Sequence, residues 1–259
     1  FMEDFNVNHQ SNTILNTTSL SVVMPAFNEA SHICDNLLLT GKVLSSVLTN
    51  FEIICVNDGS SDNTLFEMNK AAQTDNHIKV ITYNNNKGKG YAVKQGIDAA
   101  TYTYTAFLDS DLDISPDHLL TFLITMLEKN ADIAIGSKLH KDSQIDYPFS
   151  RKFLSYGYYM LLRIMFHLNL KDTQTGIKMY KTEIIKPIAA TTTTNGFAFD
   201  IEMLAQAQQE GAKIIELPIT LVFTRGKKNG LSRIKFKSIY LMFENTVAVR
   251  RRLNQKSIK

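Results

Sequence analysis

Three carboxylates stand within five residues at Asp109-Ser110-Asp111-Leu112-Asp113. Like charges this close repel one another, so folding them together calls for a cation or for hydrogen-bond donors. A hard divalent ion, Mg2+ or Mn2+, shared with the phosphates of a substrate would supply that cation. The plainer reading is a solvated loop in which Asp113 caps the next helix. The cluster directly follows an apolar strand, and that placement favours a metal held by Asp109, Asp111 and Asp113. A second cluster is Asn57-Asp58-Gly59-Ser60-Ser61-Asp62. Gly59 permits a tight turn, and Asp58 can accept hydrogen bonds from a base or a ribose. Alone, the cluster reads as an ordinary strand-to-helix turn with Ser61 or Asp62 as N-cap. A third is Asn86-Lys87-Gly88-Lys89-Gly90, where N–H groups at a helix start and two lysines suit a phosphate. Its spacing is not that of a Walker loop.

The elements around these clusters alternate. Leu20–Met24 is a short β-branched run stopped by Pro25, and Phe51–Val56 is a second apolar run. Ile78–Tyr83, Thr105–Leu108 and Ala131–Gly136 read as further strands. Helices are expected over Ser31–Leu48, Asn63–Gln73, Gly90–Ala100 and from Pro116 to about Lys129. Strands alternating with helices of this length build right-handed βαβ units and a mostly parallel, Rossmann-like sheet flanked by helices. Ligands bind such sheets at the carboxyl ends of the strands. Asn28-Glu29, Asp58, the three aspartates and Ser137-Lys138 all fall there, after four different strands, which points to one shared small-molecule site. In the second half, Phe153–Leu168 is amphipathic, Asp172–Tyr180 is a polar turn running into a strand, and Phe199–Gln209 is helical. Ile214–Leu217 is a strand and Ser232–Leu253 a helix.

At 259 residues, 44% hydrophobic, the chain has enough length to bury a substantial core. The net charge of +3 hides an asymmetry: eleven Lys/Arg and one acid from Arg225 onward give +10, leaving −7 on the rest. A basic tail on an acidic body suggests an anionic partner. Its interleaved basic and apolar residues suit an interfacial helix on an anionic leaflet, or a helix packed on the body with a solvated basic end. No nucleic-acid module accompanies it, so no nucleic-acid partner is expected. Residues 1–19 are polar with no apolar signal region, and Arg163 and His167 interrupt the longest apolar stretch, Tyr156–Leu170, so no spanning helix is expected. Cys34 and Cys55 read as core thiols of a reduced, cytosolic protein. The six histidines show no metal-ligand spacing. Phe197 and Phe199 could wall a sugar site or pack in the core.

Val22-Val23-Met24-Pro25-Ala26-Phe27-Asn28-Glu29, the Asn57–Asp62 and Asn86–Gly90 clusters and Asp109-Ser110-Asp111 together resemble family-2 glycosyltransferases of the GT-A fold, in order and in spacing. The second half, with Gly136-Ser137-Lys138, Arg151, Ser155, Asp172–Lys178 and Phe199-Asp200-Ile201-Glu202, is similar to the polyprenyl-phosphate branch. Its Asp-Thr-Gln-x-Gly form is closer to the dolichyl-phosphate glucosyl members, which use UDP-glucose, than to the mannosyl members. The resemblance implies a catalytic domain over 20–225; composition adds a poorly ordered 1–19 and a basic helix over 226–259, suited either to a membrane interface or to packing on the body. The resemblance also implies that Pro25, Asn28 and Glu29 line a nucleotide pocket and that Asp58 binds base or ribose. Lys87, Lys89, Ser110, Arg225 and Lys227 would meet the donor. Asp109 and Asp111 would hold Mg2+ or Mn2+, and Asp113 falls where relatives often have a metal-binding Gln. Lys138, Arg151, Ser155 and Gln174 would grip the acceptor. Lys138 stands where an arginine is usual, which loses bidentate phosphate geometry.

The expectation is therefore an inverting, metal-dependent hexosyltransferase acting peripherally at the cytoplasmic membrane face. It takes a nucleotide sugar, UDP rather than GDP, and passes glucose to a polyprenyl phosphate. An ionised phosphate acceptor hardly needs a base, so Arg151 and Lys138 would position it. Transfer instead to a sugar hydroxyl of a glycan or glycolipid would need a base, with Asp172 or Asp200 the candidates. A sugar-phosphate nucleotidyltransferase and a non-catalytic nucleotide-sugar binder are further alternatives. The first lacks its glycine- and arginine-rich signature here, and the intact Asp109/Asp111 pair argues against the second.

Overall fold

A computed structural model describes residues 18–145, 163, 165, 166, 168, 170–196, 198–222 and 247–252. Four strands open the chain in alternation with helices: β1 (Ser19–Ala26), α1 (Ile33–Ser45), β2 (Asn50–Asp58), α2 (Thr64–Thr74), β3 (Ile78–Tyr83), α3 (Lys89–Ala99) and β4 (Tyr104–Leu108). Then follow α4 (Asp117–Lys129), β5 (Ile133–Gly136), β6 (Gln144–Ile145), β7 (Ile177–Lys181), α5 (Thr182–Thr191), α6 (Phe199–Gln209), β8 (Ile214–Leu217) and β9 (Thr220–Leu221).

Seven strands form one sheet in the order β3-β2-β1-β4-β7-β5-β8, and β6 pairs with β9 in a second. The chain winds outward from β1 to β3, then returns to place β4 on the other side of β1. That reversal between β1 and β4 is where an open α/β sheet leaves a crevice at its carboxyl edge. The two faces of the sheet are covered separately. Leu20, Val22 and Met24 pack with Ile33, Leu37 and Leu44 of α1, whereas Val23 packs with Val93 and Ile97 of α3. This is the two-residue period of a strand buried on both faces.

Several expectations need correction. Pro25 does not end β1, which continues to Ala26. Pairing of β1 with β4 stops at Val23, which lets an otherwise central strand carry a proline. β7 is antiparallel to both of its neighbours, β4 and β5. The helix α5 had no counterpart in the sequence reading; it carries Pro187 in its interior and runs into threonines from Thr191. Its burial of Ile185, Ile188 and Ala189 outweighs them. Helix bounds also shift by one to three residues, as at α1.

Cys34 and Cys55 are buried free thiols, as expected. No helix among the described residues is long and apolar enough to cross a membrane. Of the basic tail, residues 247–252 are helical, and Val249 is fully buried in the cluster that holds Phe166. Arg252 donates to Thr194 Oγ1 at 3.1 Å and to Thr193 Oγ1. That turn therefore packs on the body. The rest of the expected helix from Ser232, and most of Phe153–Leu168, lie outside the described residues.

Candidate active site

A cavity of about 520 Å3 opens at the β1/β4 reversal, lined by Pro25, Phe27, Glu29, Asp58, Asn86, Gly88, Lys89, Asp109, Ser110 and Asp111 among others. These come from the carboxyl ends of β1, β2 and β4 and from the start of α3. The sequence clusters of the first half thus meet at one place. Ser137-Lys138 does not line this cavity; it is tied to Asp172 instead. The Lys138 N–H donates to Asp172 Oδ2 at 2.9 Å, and the Lys138 ammonium lies 3.2 Å from the same oxygen.

The loop before α3 is built on Asp58. Tyr83 Oη and the Lys87 N–H donate to its Oδ1, each at 2.8 Å. Asn86 Nδ2 at 2.9 Å and the Gly88 N–H at 3.0 Å donate to its Oδ2. A carboxylate offers about four lone-pair positions, so these bonds fill it. Asp58 therefore acts first as the post on which residues 86–88 are hung, not as a free acceptor for base or ribose. Burial and the bond to Asp58 push the Tyr83 hydroxyl well above the usual tyrosine range, which keeps it a donor.

The same bonds correct the phosphate-loop reading. The Lys87 and Gly88 N–H groups belong to Asp58, and the Gly90 and Tyr91 N–H groups donate to the Asn195 carbonyl at 2.8 and 3.3 Å. A helix start with the donors of Lys87, Gly88, Gly90 and Tyr91 taken has little to offer a phosphate. Lys87 turns away, its ammonium 4.5 Å from the Tyr91 ring centroid. Of this loop's cationic groups, Lys89 is the one that faces the cavity. Its ammonium is 2.6 Å from Asp109 Oδ1. Burial pulls Lys89 down, but Asp109, with Asp200 and Asp111, holds it above the usual lysine value.

Asp109 and Asp111 line the cavity and Asp113 does not. Leu112, with φ of 51°, turns the chain between them. The Asp113 carbonyl accepts the Val222 N–H at 2.9 Å, beside the bridge from Ile114 to Leu221. No three His, Cys, Asp or Glu side chains among the described residues converge to hold a metal ion. Two carboxylates facing a cavity still fit Mg2+ or Mn2+, because such ions commonly take one or two protein carboxylates and complete their shell with substrate phosphates and water. Asn28 serves the scaffold: its Oδ1 accepts the Ser61 N–H at 2.9 Å, and its own N–H donates to Ser60 Oγ at 3.0 Å.

Asp200 is not placed as a base. It is 5% exposed, does not line the cavity, and its Oδ1 lies 2.9 Å from the buried Lys178 ammonium. Burial pushes its carboxyl up and the Lys178 charge opposes that rise. Asp172, the other candidate base, is 9% exposed and spends Oδ2 on Lys138 and on Thr175 Oγ1 at 2.7 Å. Phe199 is core, packed edge-on against Phe107. Gln174 keeps a buried Nε2 without a hydrogen-bond partner in the structure. Arg151, Ser155, Phe197, Arg225 and Lys227 lie outside the described residues.

Three residues that the sequence reading passed over matter here. Phe27 lines the cavity and is 46% exposed, an aromatic face that no core packing claims. Its position between two residues already singled out was the available signal. Gly176 packs so tightly that a methyl group there would overlap Asp109 Oδ2. Its carbonyl also accepts the Asp109 N–H at 2.8 Å. Lys178 is wholly buried in its strand, Ile-Lys-Met-Tyr-Lys, although the sequence reading assigned it no role.

A family model described as glycosyl transferase family 2 matches residues 21–188. The dolichyl-phosphate beta-glucosyltransferase of Saccharomyces cerevisiae is 31% identical over 234 residues, covering 82% of this chain and 70% of that one. The protein of the same name from Dictyostelium discoideum is 30% identical over 222 residues, 81% of this chain and 68% of that one. Glycosyltransferase AglD of Haloferax volcanii is 30% identical over 202 residues, 77% of this chain; the match spans only 32% of that protein's length. Among solved structures, glucosyl-3-phosphoglycerate synthase from Mycobacterium tuberculosis in complex with Mn2+, UDP and phosphoglyceric acid aligns with a TM-score of 0.66. It covers 93% of this chain and 80% of its own at 15% identity, a likeness of fold.

Proposed function

The chain belongs to glycosyl transferase family 2, and from that premise we propose that it transfers a hexose, glucose from UDP-glucose, to a polyprenyl phosphate, with inversion, at the cytoplasmic face of a membrane. The observation that carries the reading is the single cavity in which Pro25, Phe27, Glu29, Lys89, Asp109 and Asp111 meet at the β1/β4 reversal. The names of the Saccharomyces and Dictyostelium relatives support the sugar and the acceptor, and the UDP and Mn2+ in the fold's solved neighbour support the donor and a metal. The basic tail supports attraction to an anionic leaflet.

Asp109 and Asp111 would hold the divalent ion, which when bound neutralises charge on the departing nucleoside diphosphate. Lys89, 2.6 Å from Asp109, adds a fixed positive charge at the same place. Phe27 offers its ring to the base. The acceptor phosphate arrives with about −1.5 to −2 charge at neutral pH and so needs positioning more than deprotonation. The burial of Asp172 and Asp200 agrees with that: neither carboxylate is presented to a sugar hydroxyl, which disfavours a glycan acceptor.

The test is UDP release from UDP-glucose by the purified protein with Mn2+ or Mg2+, with and without a short polyprenyl phosphate. Release that requires the metal and is strongly stimulated by the lipid phosphate over a slow background to water is expected, with a glycosylated lipid as product. Release indifferent to the lipid discards the polyprenyl acceptor, and a preference for GDP-sugars discards the donor.

A further inference from the structure

The turn 172–176 touches both halves of the proposed reaction. Asp172 holds the backbone and the ammonium of Lys138, and Gly176 receives the N–H of Asp109. These residues belong to neither helix nor strand, so bonds from elsewhere must fix their shape. Glu216 holds the N–H groups of Lys171 and Asp172, and Lys178 holds the other end. Its ammonium donates to the Thr175 carbonyl at 2.7 Å while lying 2.9 Å from Asp200 Oδ1 at the start of α6. It also sits 5.3 Å from the ring centroid of Phe107 on β4, and Lys89 sits 5.0 Å from the same centroid. Thr175 in turn donates to Asp172 Oδ2 at 2.7 Å, which closes the connection to Lys138.

A buried ion pair alone argues little, since apolar residues of similar size often hold a fold as well or better. What sets Lys178 apart is its further partner, the Thr175 carbonyl in the turn that joins Asp172 to Gly176. We propose that Lys178 is a positioning residue: by gripping Thr175 and Asp200 together it sets the acceptor turn against Asp109, so that the acceptor rather than water meets the activated sugar. This rests on the function proposed above.

Lys178→Met alone leaves Asp200 buried without its partner and tests folding more than function. The informative variant is Lys178→Met combined with Asp200→Leu, which removes both charges at nearly constant volume. It is expected to fold, to bind UDP in Mn2+ within about threefold of the parent, and to lose tenfold or more in transfer to polyprenyl phosphate while UDP release to water falls much less. Amide exchange in residues 172–176 should speed selectively. A fall in transfer and hydrolysis by the same factor, or an unchanged ratio between them, overturns the proposal. A parent protein that hydrolyses UDP-glucose but transfers to no lipid phosphate sinks the functional reading instead, and this inference with it.

Discussion

The backbone N–H of Asp109 donates to the carbonyl of Gly176 at 2.8 Å, and a methyl group on Gly176 would overlap the Asp109 carboxylate. The carboxylate proposed to hold the metal and the turn proposed to face the acceptor are thus in direct contact. Gly176→Ala is expected to push Asp109 aside and cost about 10- to 100-fold in kcat, since misplacements near 1 Å have effects of that order. Thermal unfolding should move less than activity, because the partly exposed Asp109 side chain can swing into the cavity to relieve the overlap. Wild-type kcat in Gly176→Ala would show that Asp109 has room to give.

Asp111 lines the cavity and is partly exposed, so its loss should damage chemistry and not folding. Asp111→Ala is expected to lower transfer by about 100- to 1,000-fold, the scale on which transition-state charge stabilisation acts. Chelation of the divalent ion should abolish transfer in the parent, and Mn2+ or Mg2+ should restore it. Calorimetry would reveal whether UDP still binds more tightly with Mn2+ present; a variant that keeps this gain contradicts the ligand role.

Asp58→Asn separates a scaffold role from a ligand role. An amide cannot accept all four of the present bonds, and buried donors left without partners cost about 1–3 kcal/mol each. The melting temperature should therefore fall by several degrees even without nucleotide. If stability is untouched and only UDP affinity drops, the carboxylate serves the ligand directly.

Phe27→Ala should do the opposite. The ring is 46% exposed and holds no core together. If the base stacks on it, binding weakens by about 1–3 kcal/mol, the worth of one base–aromatic contact, with no loss of thermal stability. Equal UDP affinities for parent and variant would remove Phe27 from the site.

Stability should fall in acid partly through Glu52. Burial pushes this carboxyl up, but bonds from Lys79, Ser21 and Thr101 prevail and hold it below the usual glutamate value. A depressed carboxyl contributes stability above its unfolded value and loses it as pH drops through the folded one. Glu52→Gln should thus be less stable than the parent at pH 6–7, by about 1–3 kcal/mol for the broken buried bonds. The gap should narrow steadily below the ordinary glutamate value near 4.3. Parallel melting curves across that range would rule the contribution out.

The first half of the chain was legible because its strands are mostly apolar runs and its polar clusters sit at their ends. Both signals are local. Harder to see were bonds between residues far apart in sequence. The Asn195 carbonyl caps α3, more than a hundred positions earlier, and so takes N–H groups that the loop sequence offered to a phosphate. Nothing in Ile177–Lys181 announces that Lys178 points inward, since its partner Asp200 lies on a different element. Asn28 and Asp58 were recognised as important, but their protein partners, Ser61 and residues 83–88, were not legible, because a sequence names polar groups without saying which others reach them first.

β7 lies between β4 and β5, antiparallel to both, although it follows β5 by some forty residues. During synthesis, β1 to β4 can therefore assemble while one edge of β4 waits. Until Ile177–Lys181 arrives, that edge offers an unpaired row of backbone groups on a strand meant for burial, the kind of surface that recruits other chains. A ribosome pausing in this interval, or a protease cutting within it, would leave an aggregation-prone half-sheet rather than a smaller stable domain.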